Sequence, residues 1–214
     1  MDALMVGWPM RVLAILLFLS SCISTPPVPT ESSFTLESAD LTIRLLPLSR
    51  EELKRRHGSN TDRTRNPFID YPAQLLKKRI VVFETEISTE ESEVLFQLDE
   101  FHLEIGGVKD EAASLELLMN YWKGYTSQEE AVLMRSLMRK TMLDREFSVS
   151  PDRPVKGYLV FAHSFPKEGG QAIISFNVST PAGDEGVLEQ AMEFTKTGGK
   201  KEKTGKTGIF SEES

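Results

Sequence analysis

The chain is 214 residues long, 40% hydrophobic and 27% charged, with 25 basic and 32 acidic side chains and a formal charge of −7. That length suits one domain of ordinary size with a real core, and that charge excludes a general nucleic-acid binder, which needs a basic stripe to neutralise phosphates. The single cysteine, Cys22, excludes an intramolecular disulfide and leaves no thiol cluster for metal or redox chemistry.

The first element is an unbroken apolar run from Val12 to Leu19, preceded by Arg11 and followed by Ser20-Ser21-Cys22. Eight residues are too few for the roughly 20 a spanning helix needs but suit the h-region of a signal peptide, so no transmembrane helix is expected in the mature chain. Residues 1–9 hold no Lys or Arg and one Asp, whereas a start at Met10 places Arg11 directly ahead of the h-region, making Met10 the expected start. Leu19, Ser20, Ser21 and Cys22 resemble the lipobox of bacterial lipoproteins, apolar-small-small before an invariant cysteine. The resemblance implies that residues 1–21 are removed and that lipidated Cys22 anchors the protein to a membrane. Each buried methylene contributes about 0.8 kcal/mol, so more than one acyl chain gives a stable anchor. Ile23 stands where an Asp is associated with inner-membrane retention in enteric bacteria, which points to the outer membrane, facing the periplasm. The alternative for a sole cysteine is an inert or nucleophilic thiol.

Residues 22–33 follow as a Pro-rich tether, since Pro26, Pro27 and Pro29 favour an extended path. At about 3.1 Å per residue its reach is roughly 37 Å, and it is read as a spacer outside the core. The domain is expected over residues 34–196. Leu41, Ile43 and Leu45 alternate with Thr42 and Arg44, the period of a half-buried strand. Ser49 with Glu52 forms a capping box that opens a short helix ending at His57-Gly58. Residues 58–72 read as a long surface loop around Asn66-Pro67-Phe68. Residues 80–87 form the next strand. In residues 94–105 the apolar parity switches, Val94, Phe96 and Leu98 against Phe101, Leu103 and Ile105, so a bulge or tight turn is required near Asp99-Glu100.

After Gly106-Gly107 the period becomes helical over residues 110–143. One helix runs from about Glu111 to Lys123, and a second starts at Thr126 with Leu133, Met134, Leu137 and Met138 on its apolar face. Strand periodicity returns through Val155, Leu159 and Phe161, then Ala172, Ile174, Phe176 and Val178, then Leu188, Met192 and Phe194. Residues 197–214 are Gly, Lys, Thr and Glu with few apolar side chains and are expected to be disordered. The fold class is therefore mainly β, an antiparallel sandwich with an inserted helical hairpin. The leader ending in Cys22, Asn66-Pro67-Phe68 ahead of a strand, and the Pro-x-x-Gly-x-Leu-x-Phe order of Pro154, Gly157, Leu159 and Phe161 resemble bacterial envelope lipoproteins with immunoglobulin-like β-sandwich domains. That resemblance carries over no catalytic residue.

Charge is segregated: residues 50–79 hold nine Lys/Arg against four acids, and residues 80–130 hold thirteen acids against two Lys. Such segments pair across one surface or mark a partner's surface. Glu100, His102 and Glu104 share one strand face and are the best metal-like grouping, although residues i and i+2 stand about 6.6 Å apart and a solvated face explains them. His163 is expected to bond a carbonyl at a strand end, and the helix dipole accounts for His57. Gly205-Lys206-Thr207 lacks the glycine spacing of a phosphate loop. Met119, Trp122, Met134 and Met138 form either a partner-binding groove or the cap of one open end of the sandwich. No cofactor is called for, and no Ser-His-Asp, Cys-His or paired-carboxylate arrangement is legible. The expected function is a lipid-anchored, non-enzymatic binding or structural protein, with the membrane and an envelope protein as partners. The alternative is a metal- or small-molecule-binding lipoprotein or an envelope hydrolase.

Overall fold

A computed structural model describes residues 28–29, 33–38, 40–59, 65–69, 78–164, 170–179 and 185–195. Cys22, its lipobox and the expected tail lie outside these residues. The strands are β1 (Val28–Pro29), β2 (Phe34–Glu37), β3 (Leu41–Pro47), β4 (Arg79–Thr89), β5 (Val94–Gln97), β6 (Phe101–Ile105), β7 (Val108–Glu111), β8 (Glu146–Val149), β9 (Val155–His163), β10 (Gly170–Ser179) and β11 (Glu185–Thr195). The helices are α1 (Arg50–His57), α2 (Leu115–Trp122) and α3 (Gln128–Thr141). The protein is mainly β, and its strand pairs are antiparallel. A five-stranded sheet has the order β1-β11-β10-β6-β7, a four-stranded sheet the order β2-β3-β4-β9, and β5 pairs with β8.

One core lies between the two larger sheets, an arrangement compatible with a β-sandwich. Leu41, Ile43, Leu45, Phe83, Ile87, Leu159 and Phe161 come from the four-stranded sheet, and Phe101, Leu103, Ile105, Ala172, Ile174, Phe176 and Met192 from the five-stranded one. The small sheet joins it through aromatic stacking: Phe101 and Phe176 have ring centroids 4.4 Å apart, and Phe96 stacks at 5.3 Å on both Phe147 and Phe176.

The four-stranded sheet is also covered from outside. Ile80 and Val82 on β4 and Tyr158 and Val160 on β9 pack with Leu118, Met138 and Met142 of the helical hairpin and with Leu53 and Phe68. The hairpin thus lies on the outer face of this sheet and does not cap an open end of the sandwich. The reason is in β4 and β9 themselves, where consecutive apolar residues put buried side chains on both faces and a single cover leaves one face wet. Ala113 N–H ties the start of the hairpin to the Val160 carbonyl at 2.6 Å.

The parity switch of residues 94–105 is a 3-10 turn over Leu98–Glu100. It sends β5 to the small sheet and β6 to the five-stranded one, each with buried alternate residues. Gly106 and Gly107, at φ 61° and 79°, make a two-residue hairpin into β7, a strand that the sequence pattern concealed because its residues Val108–Glu111 are exposed or half-buried. The expected surface loop contains the opposite of surface: Asn66, Pro67, Phe68 and Ile69 are buried. The expected spacer also touches the domain, since Val28 and Pro29 pair with Thr195 and Phe194 of β11; a proline is tolerated there because the strand is at an edge.

Gly157 is required by a close approach. A Cβ at this position would meet Leu143 Cδ2 at 2.8 Å and the Leu143 backbone nitrogen at 3.0 Å, because the chain leaving α3 lies against β9, with Leu143 N–H bonded to the Tyr158 carbonyl. Gly157→Ala is expected to destabilise the fold by about 1–3 kcal/mol, the usual scale for overpacking, read as a fall in the urea midpoint with unchanged slope.

Candidate functional site

The helical hairpin leaves one part of the outer sheet face open, and there a cleft of about 640 Å³ forms, within the size range of small-molecule sites. The register fixes its floor. One row runs Thr35–Arg44–Glu86–Lys156 across all four strands, and the neighbouring row is Leu46–Glu84–Tyr158. Lys140 and Thr141 at the end of α3 form a wall.

The charges on this floor are unequally paired. Lys156 Nζ stands 2.9 Å from Glu86 Oε1, and Glu84 accepts two hydrogen bonds from Arg56, at 2.9 and 3.0 Å, the bidentate form that fixes both planes. Arg44 and Lys140 are exposed and have no ion-pair partner among the described residues. The cleft therefore carries two positive charges with no ion-pair partner among the described residues, Arg44 on its floor and Lys140 on its wall, and the exposed side chain of Leu46 lies on the neighbouring row.

Behind the cleft lies a polar hub. Arg56, whose Nε also bonds Glu52 at 2.6 Å, donates to the Tyr158 hydroxyl at 3.3 Å. His57 Nε2 is 3.0 Å from the same oxygen. The hydroxyl can donate to Nε2 or accept from Nε2–H, according to the tautomer of His57. The hydrogen bonds that Arg56 donates to Glu84, Glu52 and Tyr158 keep it charged, well above its ordinary range. Hydrogen bonds from Arg55 and Arg56 hold Glu52 at about 2. Burial, then the charge of Arg56, pushes His57 below its usual 6.5. His57, Phe68 and Tyr158 complete the hub as an aromatic cluster with centroids 5.3–5.6 Å apart.

Asn66 holds the hub in place. Its amide donates to the carbonyls of Leu53 and Gly58 at 3.0 and 2.9 Å, and its side-chain oxygen accepts from Phe68 N–H at 3.0 Å. It closes the end of α1 while seating Phe68. Neither Asn66, Arg56 nor Tyr158 is conspicuous in the sequence; the available signal is an apolar Phe68-Ile69 pair inside an otherwise polar loop.

The other candidate residues fall elsewhere. Trp122, Met134 and Met138 are buried and Met119 is half-buried, so these side chains face the protein interior. Trp122 Nε1 donates to the Pro67 carbonyl, at 3.4 Å. Leu133, expected on the apolar face, is 59% exposed. Glu100, His102 and Glu104 do not assemble: Glu100 accepts from Gln97 N–H at 3.0 Å, while His102 and Glu104 stand on β6, opposite Glu111 and Lys109 of the edge strand β7. Among the described residues no group of His, Cys, Asp and Glu forms a metal site. His163 is fully buried, with its ring nitrogens 2.9 Å from the carbonyls of Ser164 and Val108, as a carbonyl-bonded strand-end histidine should be. The segregated charges do pair across the surface, through Arg56–Glu84, Arg65–Glu130 and Lys78–Asp110. No described helix is long and apolar enough to cross a membrane. No family model, curated protein or solved structure matches the chain.

Two outcomes test the hub. Asn66→Ala removes its bonds to the Leu53 and Gly58 carbonyls and to Phe68 N–H, and should cost about 2–4 kcal/mol in urea denaturation. Because folding lowers the His57 pKa, stability is full above the unfolded value near 6.5 and is lost as pH falls below it. The urea midpoint should therefore drop between pH 7.5 and 5.5, and His57→Gln should flatten that slope.

Proposed function

We propose that the protein is a lipid-anchored bacterial envelope protein, held at a membrane by acylated Cys22, whose immunoglobulin-like sandwich is a non-enzymatic binding module with the sheet-face cleft as its binding site. The observation that carries the anchor is the succession of Arg11, an eight-residue apolar run, Leu19-Ser20-Ser21 and the only cysteine in the chain. The shortness of that run suits a cleaved leader better than a span, and Ile23 favours the outer membrane. The cleft supports the binding role because it is concave, small-molecule sized and lined by Arg44 and Lys140, which have no ion-pair partner among the described residues, beside the apolar Leu46. The His57–Tyr158 pair serves to hold the site, since Arg56 donates to the Tyr158 hydroxyl and His57, the last residue of α1, bonds the same oxygen.

In cells fed radiolabelled palmitate, the wild-type protein should take up label and partition with the membrane fraction, and Cys22→Ser should lose both. Label persisting in Cys22→Ser, or wild-type protein recovered wholly in the soluble fraction, would overturn the anchor.

A further inference from the structure

We infer that the cleft binds an organic anion of small-molecule size, a carboxylate or phosphate ester whose charged group sits between Arg44 and Lys140 and whose apolar body lies along Leu46. The inference rests on the reading of the cleft as the binding site and is independent of the lipid anchor. Five ionisable groups line the cleft in addition to Tyr158. Two are carboxylates, and each is already committed: Glu86 to Lys156 at 2.9 Å and Glu84 to both terminal nitrogens of Arg56. A ligand cation would have to break one of these pairs, whereas an anion meets Arg44 and Lys140 with no ion pair to displace among the described residues.

The register strengthens the point. Arg44 and Lys156 flank Glu86 from opposite sides on the same row, and with the carboxylate turned to Lys156, Arg44 is left facing the opening. Arg offers a planar fork matched to carboxylate and phosphate oxygens, and Lys140 adds a point charge from the wall. Leu46, 38% exposed, is the apolar side chain presented on the neighbouring row. These groups stand on sheet strands and a helix end, so the backbone that carries them is in place before the ligand arrives.

The test uses purified full-length protein titrated by calorimetry with octanoate and octyl phosphate, and with octanol and inorganic phosphate as probes of each half alone. Saturable binding of the two amphiphilic anions, weakening as salt rises, is expected, with octanol and inorganic phosphate each at least about tenfold weaker. The double variant Arg44→Gln/Lys140→Gln should lose about tenfold or more in anion affinity while keeping the wild-type melting temperature, because neither side chain supports another. Anion binding unchanged in the double variant, octanol binding as tightly as octanoate, or no saturable anion binding would each overturn the inference. Octanol binding as tightly as octanoate and abolished by Leu46→Asp would leave the cleft as an apolar site and overturn its preference for anions.

Discussion

Strands β4 and β9 are apolar on both faces, and most of the architecture answers that one constraint. Phe83, Leu159 and Phe161 turn into the core shared with the five-stranded sheet, while Ile80, Val82 and Val160 turn the other way. An uncovered outer face would leave several large side chains in water, each costing about 1.5–3 kcal/mol relative to burial. The helical hairpin, α1 and the Phe68 segment supply the cover together, and none of them has another sheet to pack on. Where the apolar residues of β4 give way to Glu84 and Glu86, the cover ends and the cleft begins.

That transition explains why the polar hub lies where it does. Arg56 reaches from α1 to Glu84 at the border of the dry region, and Tyr158 puts its ring among the covered residues and its hydroxyl at the hub. An unpaired carboxylate at such a border pays a desolvation penalty, which the bidentate guanidinium offsets. The pairing spends Glu84 on structure and so shapes the net charge of the cleft beyond it.

Much of the fold was legible because local pattern and tertiary role agree. The alternation of Leu41, Ile43 and Leu45, the capping serines Ser49 and Ser127, and the parity switch at residues 98–100 all carry a period or a cap that survives in the structure. The second helix begins at Gln128, two residues later than the expected Thr126 start, because Ser127 is its N-cap and forms the reciprocal cap with Glu130. What escaped has a common cause. β7 and β8 are short and partly exposed, so they have no clean alternation. The burial of Asn66 depends on backbone groups 8 and 13 residues away. The cleft residues come from four strands and the end of α3, and only the register makes Arg44, Glu86 and Lys156 neighbours. Single-sequence periodicity sees which face a residue takes but not who stands beside it.

The three-residue turn at Leu98–Glu100 sets the phase of everything that follows it in the sheet. Before it, Val94 and Phe96 point inward at even positions; after it, Phe101, Leu103 and Ile105 do so at odd ones. A chain length change of one residue at this turn would invert β6, exposing three core side chains and turning His102 and Glu104 inward. A change of two would keep the phase and alter only the reach between sheets. Insertions and deletions at this point are thus filtered by whether they are odd or even, a rule on sequence length that no single substitution there would reveal.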